Sequence, residues 1–159
     1  VYISLEQELN YLKAYIDLER LKQAESFDYG ISVDPQIDPQ ATQIPNMVLQ
    51  PYIENAIKHG IKQATGRGRL TITFNHYPGK RLLECIIEDN GPGIEYTRQH
   101  RAATAMSLSQ SMSITDKRIQ TLNQLSPGTE PIRLQVVDKS HENRETGETG
   151  TKIIIHFPV

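Results

Sequence analysis

The strongest constraint on this chain is the stretch from Val48 to Ile61, where apolar residues recur with the period of a helix lying on a sheet. Val48, Leu49, Tyr52, Ile53, Ala56, Ile57 and Ile61 form one broad stripe, which needs a packed partner along its length. The other side carries Asn55, Lys58, His59 and Lys62. Asn55 and Lys58 stand three residues apart, so an amide oxygen able to ligate a hard cation sits one turn from an ammonium able to meet phosphate oxygens. That pairing suits a nucleotide with its magnesium ion. A surface helix with ordinary polar residues is the plainer reading of the same positions.

A second motif, Glu88-Asp89-Asn90-Gly91-Pro92-Gly93-Ile94, follows a run with strand periodicity, Arg81 to Ile87. Leu83, Cys85, Ile87 and Asp89 share one face. A carboxylate among three apolar side chains is costly to bury unless something donates to it, such as an adenine amino group or a water. Gly91 and Gly93 let the backbone turn sharply and approach a flat ring. An Asn-Gly hairpin turn explains the glycines equally well, but not the inward carboxylate.

An Asn-Ala-Ile-Lys-His helix (Asn55 to His59), followed after about thirty residues by Asp-Asn-Gly-Pro-Gly (Asp89 to Gly93), resembles the N box and first glycine box of the GHKL ATPase superfamily. Within it, Leu49-Gln50-Pro51 through Gly60 looks most like the LytS-type sensor histidine kinases. The resemblance implies an α+β Bergerat fold, a two-layer sandwich of a mixed sheet and helices with ATP under a mobile lid. It also implies roles. Asn55 ligates Mg2+, Lys58 neutralises phosphate, Asp89 reads the adenine amino group, Gly91 and Gly93 admit the ring, and His59 borders the ribose or phosphates. Gly150-Thr151 stands where a Gly-Thr pair is associated with the adenine-binding aspartate and a water. Where gyrase-like and MutL-like relatives carry a water-activating glutamate, this chain has Pro51, which cannot act as a base; Glu54 is the remaining weak candidate.

At 159 residues the chain fits one domain plus an appended element. A net charge of −2 argues against a nucleic-acid partner. Cys85 is the only cysteine, which rules out an internal disulfide or a Cys-rich zinc site and fits a reducing compartment. No signal peptide or long apolar run is present, so this stretch is expected neither to enter nor to cross a membrane; the resemblance implies a cytoplasmic domain of a membrane-anchored sensor. From Leu5 to Gln23, Leu5, Leu9, Leu12 and Ile16 make a coiled-coil-like seam, flanked by Tyr11, Tyr15 and Leu18, with Ser4 as a cap. Two stripes call for two partners, the helix's own domain and another subunit; a terminal helix packed only on its domain is the alternative. The expected division is residues 1–26 as a linker or dimerisation-type helix and 27–159 as the catalytic domain.

Alternating residues predict strands over Phe27–Asp34, around Leu70–Phe74, over Arg81–Asp89, around Ile132–Val136 and over Thr151–Phe157, the last with the Thr151 hydroxyl facing the core. Gln36 to Asn46 reads as a proline-rich loop, and the central helix starts near Asn46 or at Gln50. Glu95 to Gln110 has weak periodicity and reads as a poorly anchored lid. A helix with Ile114, Ile119 and Leu122 on one face is expected to start at Ser111. There Ser111 and Ser113 replace the family's second glycine box, and helix-start amides are left to hold phosphate. Asp138 to Gly150 reads as a polar hairpin loop.

No P-loop, His-Glu-x-x-His helix or Gly-x-Ser-x-Gly elbow occurs. The resemblance therefore implies a histidine kinase catalytic domain, with ATP and Mg2+. The acceptor is expected on dimerisation helices upstream of Val1, since none of the five histidines lies in the Leu5–Gln23 helix. The expected partners are those helices, a response regulator and a second copy in a homodimer. A non-catalytic GHKL module acting as a dimeric scaffold is the competing reading, and a GHKL hydrolase a third.

Overall fold

Residues 2–142 and 145–159 are described by the computed structural model. Tyr2–Ser4 forms strand β1. Ser4 then caps helix α1, Leu5–Lys22, accepting the Gln7 amide at 3.2 Å while Gln7 Oε1 accepts the Ser4 amide at 3.1 Å. This reciprocal pair satisfies two donors at the helix start and fixes where extended chain gives way to helix. After β2, Phe27–Val33, a short β3, Gln43–Pro45, pairs antiparallel with β1 inside the stretch expected as loop. Its fully buried Ile44 anchors it.

Helix α2 spans Gln50–Asn55 with Pro51 in its first turn, where a missing amide proton costs little. It runs on through a π-helical turn, Ala56–Gly60, and one 3-10 turn, Ile61–Gln63. Then come β4 (Gly68–Tyr77), β5 (Leu82–Asp89), α3 (Ile94–His100), α4 (Ala102–Leu125), β6 (Arg133–Asp138), α5 (Lys139–Glu142) and β7 (Thr151–Pro158). The main sheet has the order β2-β4-β5-β7-β6. Only β2 and β4 are parallel, so the sheet is mixed, as expected.

One face of this sheet is buried and the other half-exposed. Leu70, Ile72, Phe74, Leu83, Cys85, Ile87, Ile153, Ile155 and Phe157 point into a single core shared with Tyr52, Ile53 and Ile57 of the central helical segment and Ile119 of α4. Leu5, Leu9, Leu12 and Ile16 of α1 belong to the same core. The flanking stripe diverges: Tyr15 packs half-buried on the core, whereas Tyr11 and Leu18 are 47% and 51% exposed.

Glu95–Gln110, expected as a poorly anchored lid, is helical apart from Arg101, and α4 begins at Ala102, so Ser111 lies well inside a helix instead of at its start. The cause is local: from Ala102 onward Ala, Met, Leu and Gln favour helix, and no glycine or proline stops it before Leu125. Ile114 is 70% exposed and does not share the buried side of Ile119. The Asp138–Gly150 stretch contains α5; Asn143 and Arg144 in it lie outside the described residues. Among the described residues no helix is long and apolar enough to cross a membrane.

Because α1 contributes to the one core, Leu12→Ala is expected to cost about 2–5 kcal/mol, and Leu18→Ala to stay within about 0.5 kcal/mol. Urea unfolding of both variants checks this, and equal small losses would mean that α1 is not part of the cooperative unit.

Candidate functional site

Strand β5 carries Asp89 on the inner face, in register after Leu83, Cys85 and Ile87, and leaves it only 4% exposed. Its Oδ1 accepts the amides of Gly91 at 2.9 Å and Thr151 at 3.3 Å; the other oxygen, Oδ2, takes neither. Burial pushes the carboxyl up to about 6, against the opposing pull of those two amides and of the Lys139 charge. Lys139 Nζ also donates to the Asp89 carbonyl at 3.4 Å.

Three glycines make this burial possible. A β-carbon at Gly60 would lie 2.6 Å from either Asp89 carboxylate oxygen, one at Gly91 would strike the Gly60 backbone, and one at Gly150 the Asp89 carbonyl. The π-helical turn ends at Gly60, so the widened turn lets the central helical segment approach the carboxylate. Gly93 has a different task. At φ 90° it precedes α3, and a β-carbon there would lie 2.7 Å from Asp138 Oδ1. Asp138 in turn accepts the Glu95 amide at 2.9 Å, tying the start of α3 to the end of β6.

Around Asp89 is a small cavity lined by Tyr52, Asn55, His59, Gly93, Thr151 and Thr97, together with apolar neighbours including Ile94 and Met112. Asn55 Nδ2 and the Tyr52 hydroxyl are buried without a hydrogen-bond partner. Such orphaned groups are costly unless a ligand or water meets them. His59 is shifted below the usual histidine range by burial first and the Lys58 charge second, which favours a neutral ring at pH 7.

The expected site residues thus divide. Asn55, His59, Asp89, Gly93 and Thr151 meet at the cavity, and Gly91 braces it from behind. Lys58 is exposed and does not line it, and the Glu54 carboxylate accepts Gln50 Nε2 at 2.9 Å instead. Ser111 offers no helix-start amide: it is internal to α4, and its carbonyl accepts Thr115 Oγ1 at 2.9 Å. Sequence reasoning missed Thr97, Met112, the Tyr52 hydroxyl and the close packing at Gly60 and Gly150. The Gly60 and Gly150 positions were visible as glycines flanking the motifs.

The cavity measures about 30 Å³, room for about one water and far short of the roughly 300 Å³ a small-molecule pocket starts from. Beyond Ile94, Thr97 and Met112 lies a second space of about 350 Å³, lined also by Arg98, Ala105, Met106 and Ser109. Those three side chains line both spaces and stand between them. Among the described residues no group of three or more His, Cys, Asp or Glu side chains is placed to hold a metal. A magnesium ion needs no such cage, because it keeps waters and takes most other ligands from phosphate. The Asn55 amide fits that role: turning it about its last bond exchanges the orphaned Nδ2 for Oδ1.

Residues 42–159 match the family described as histidine kinase-, DNA gyrase B- and HSP90-like ATPase. Among curated proteins, the sensor histidine kinase BtsS of Escherichia coli is 33% identical over 89 residues, 56% of this chain and 15% of its own length. The sensor protein LytS of Oceanobacillus iheyensis is 31% identical over 93 residues, 58% and 15% respectively. The chain therefore spans a small part of these relatives. Among solved structures, the catalytic domain of histidine kinase ThkA superposes with a TM-score of 0.63 at 16% identity, over 99% of this chain and 95% of that one. The mycobacterial sensor histidine kinase MprB gives 0.60 at 15% identity, over 99% and 97%.

Raising the Asp89 carboxyl from 3.8 to about 6 means that the folded chain holds a proton the unfolded chain has lost. Stability from this group is therefore full below pH 4 and falls as pH rises to about 6, by at most about 3 kcal/mol. Asp89→Asn is expected to be more stable than the parent at pH 7, with the difference shrinking toward pH 4. Thermal unfolding across that range tests it, and a variant destabilised at pH 7 would contradict it.

Proposed function

This chain belongs to the histidine kinase-, DNA gyrase B- and HSP90-like ATPase family, and we propose that it is the ATP-binding catalytic part of a sensor histidine kinase. The observation that carries the reading is the convergence of a buried carboxylate, an orphaned Asn55 amide and a neutral-leaning His59 on one cavity. In this reading Asp89 Oδ2 accepts from the adenine amino group while Oδ1 stays held by Gly91 and Thr151. The Thr151 hydroxyl orders a water beside it. Asn55 holds the magnesium ion, which when bound neutralises phosphate oxygens. His59 borders the ribose or phosphates. Lys58, exposed in the closed arrangement, turns toward the phosphates when α3 and α4 move.

Phosphoryl transfer asks little covalent chemistry of the protein; positioning and charge neutralisation carry it. Pro51 stands where hydrolytic relatives carry the water-activating glutamate and cannot act as a base, and Glu54 is engaged by Gln50. The γ-phosphoryl group passes instead to a histidine upstream of this sequence and from it to a response regulator, in a sensor anchored at the membrane. The names of the sensor relatives support this reading.

A second copy fits along α1, whose exposed Tyr11, Ala14, Leu18 and Leu21 repeat at three, four and three residues, away from the buried seam. Sedimentation at rising concentration checks it: Leu18→Glu is expected to weaken self-association, and identical behaviour of the two proteins would remove α1 from the interface.

The continuous α4 favours one competitor. With no helix start at Ser111 to cradle phosphate, the chain reads alternatively as a non-catalytic dimeric module. Calorimetry separates the two. Saturable ATP binding strengthened by Mg2+ is expected, weakened at least about tenfold by Asp89→Asn through the lost charge-assisted bond. Asn55→Ala is expected to remove mainly the magnesium-dependent part, and steady-state ATP turnover to be absent. Lack of saturable binding would support the scaffold, and steady turnover a hydrolase.

A further inference from the structure

Away from the cavity, three helices meet at one turn. Arg118 of α4 spreads its guanidinium over two consecutive carbonyls, Nη1 donating to Met47 at 3.0 Å and Nη2 to Asn46 at 2.5 Å. Met47 sits at φ 61°, a left-handed conformation that is unfavourable for a side-chain-bearing residue. On the other side of the turn, Glu8 of α1 is 2% exposed, with Oε1 lacking any partner. Burial raises its carboxyl, opposed by the Arg118 charge and the Met47 amide. Three residues after Met47 begins α2, which carries Asn55.

A buried acid, a strained turn and a planar fork reaching across 71 residues of sequence are an expensive way to fasten a surface loop. No part of the nucleotide reading uses them. Lysine offers its donors from a single nitrogen and lacks the rigid planar fork that sets Nη1 and Nη2 against separate carbonyls, so the geometry favours arginine. We propose that Arg118 is a positioning residue, and that with Glu8 it clamps the Asn46–Met47 turn so that α1, Asn55 and the lid helix α4 move as one coupled unit. The coupling runs both ways: closing α4 on a nucleotide loads the turn and α1, and displacement of α1 shifts the seat of Asn55. The proposal rests on the nucleotide reading of the cavity.

Hydrogen exchange of the whole chain with and without ATP and Mg2+ tests it, alongside nucleotide affinity and thermal unfolding of Arg118→Ala, Arg118→Lys and Glu8→Gln. In the parent protein, nucleotide is expected to slow exchange at Met47 and across Glu8–Leu12, as well as at the cavity. Arg118→Ala is expected to bind nucleotide about tenfold more weakly, the scale of a lost charge-assisted pair, and to lose the nucleotide-induced protection of α1 even at saturation. Arg118→Lys restores part of the affinity and little of the transmitted protection. Glu8→Gln, which keeps the shape and removes the acid, loses transmission while staying folded. Protection confined to the cavity in the parent, or transmitted undiminished in folded Arg118 and Glu8 variants, overturns the clamp and leaves the nucleotide reading standing. Absence of binding by the parent sinks that reading, and the clamp with it.

Discussion

The rest of the structure depends on keeping one carboxylate out of water. Asp89 is held by two backbone amides at a single oxygen, and the chain is shaped so that nothing else crowds it. Strand β5 must end inside the fold. The central helical segment must widen into a π turn to bring Gly60 against the acid, and β7 must follow a glycine so that Thr151 can offer its amide. Each of these is a local departure from ideal geometry. Together they leave a buried acceptor whose second oxygen takes neither backbone amide.

The surrounding architecture serves that point. The half-buried sheet supplies a rigid floor, and its mixed order sets β5 between β4 and β7. Above it, Ile94, Thr97 and Met112 divide a space for one water from a larger one. The start of α3 is pinned to the end of β6 by Asp138. Helix α1 shares the core with the sheet, so whatever joins it upstream is mechanically connected to the floor of the site.

Much of this was legible in the sequence because it is written in local periodicity. Alternation gave the inner face of β5 and with it the inward Asp89; the 3.6-residue stripe gave the packed side of the central helix. What escaped depends on contacts between distant segments. Gly60 and Gly150 matter only because of what Asp89 does between them, and Glu8 looks like any solvated acid until Met47 and Arg118 arrive from elsewhere. The Glu95–Gln110 stretch is hard to read for a different reason: its amphipathicity is weak, yet Ala102–Leu125 is helical by backbone preference and the lack of breakers. Lys58 stands off the cavity because the turn that carries it is π-helical, which breaks the α spacing that would align it with Asn55.

Asp89 is a desolvated acid with one oxygen that takes neither backbone amide, and carbon NMR of its carboxyl reads its state directly. In the free protein the carboxyl should titrate near 6. With saturating adenine nucleotide the midpoint should fall, because a donated hydrogen bond favours the ionised form. A midpoint near 4 that does not move when nucleotide is added would contradict it.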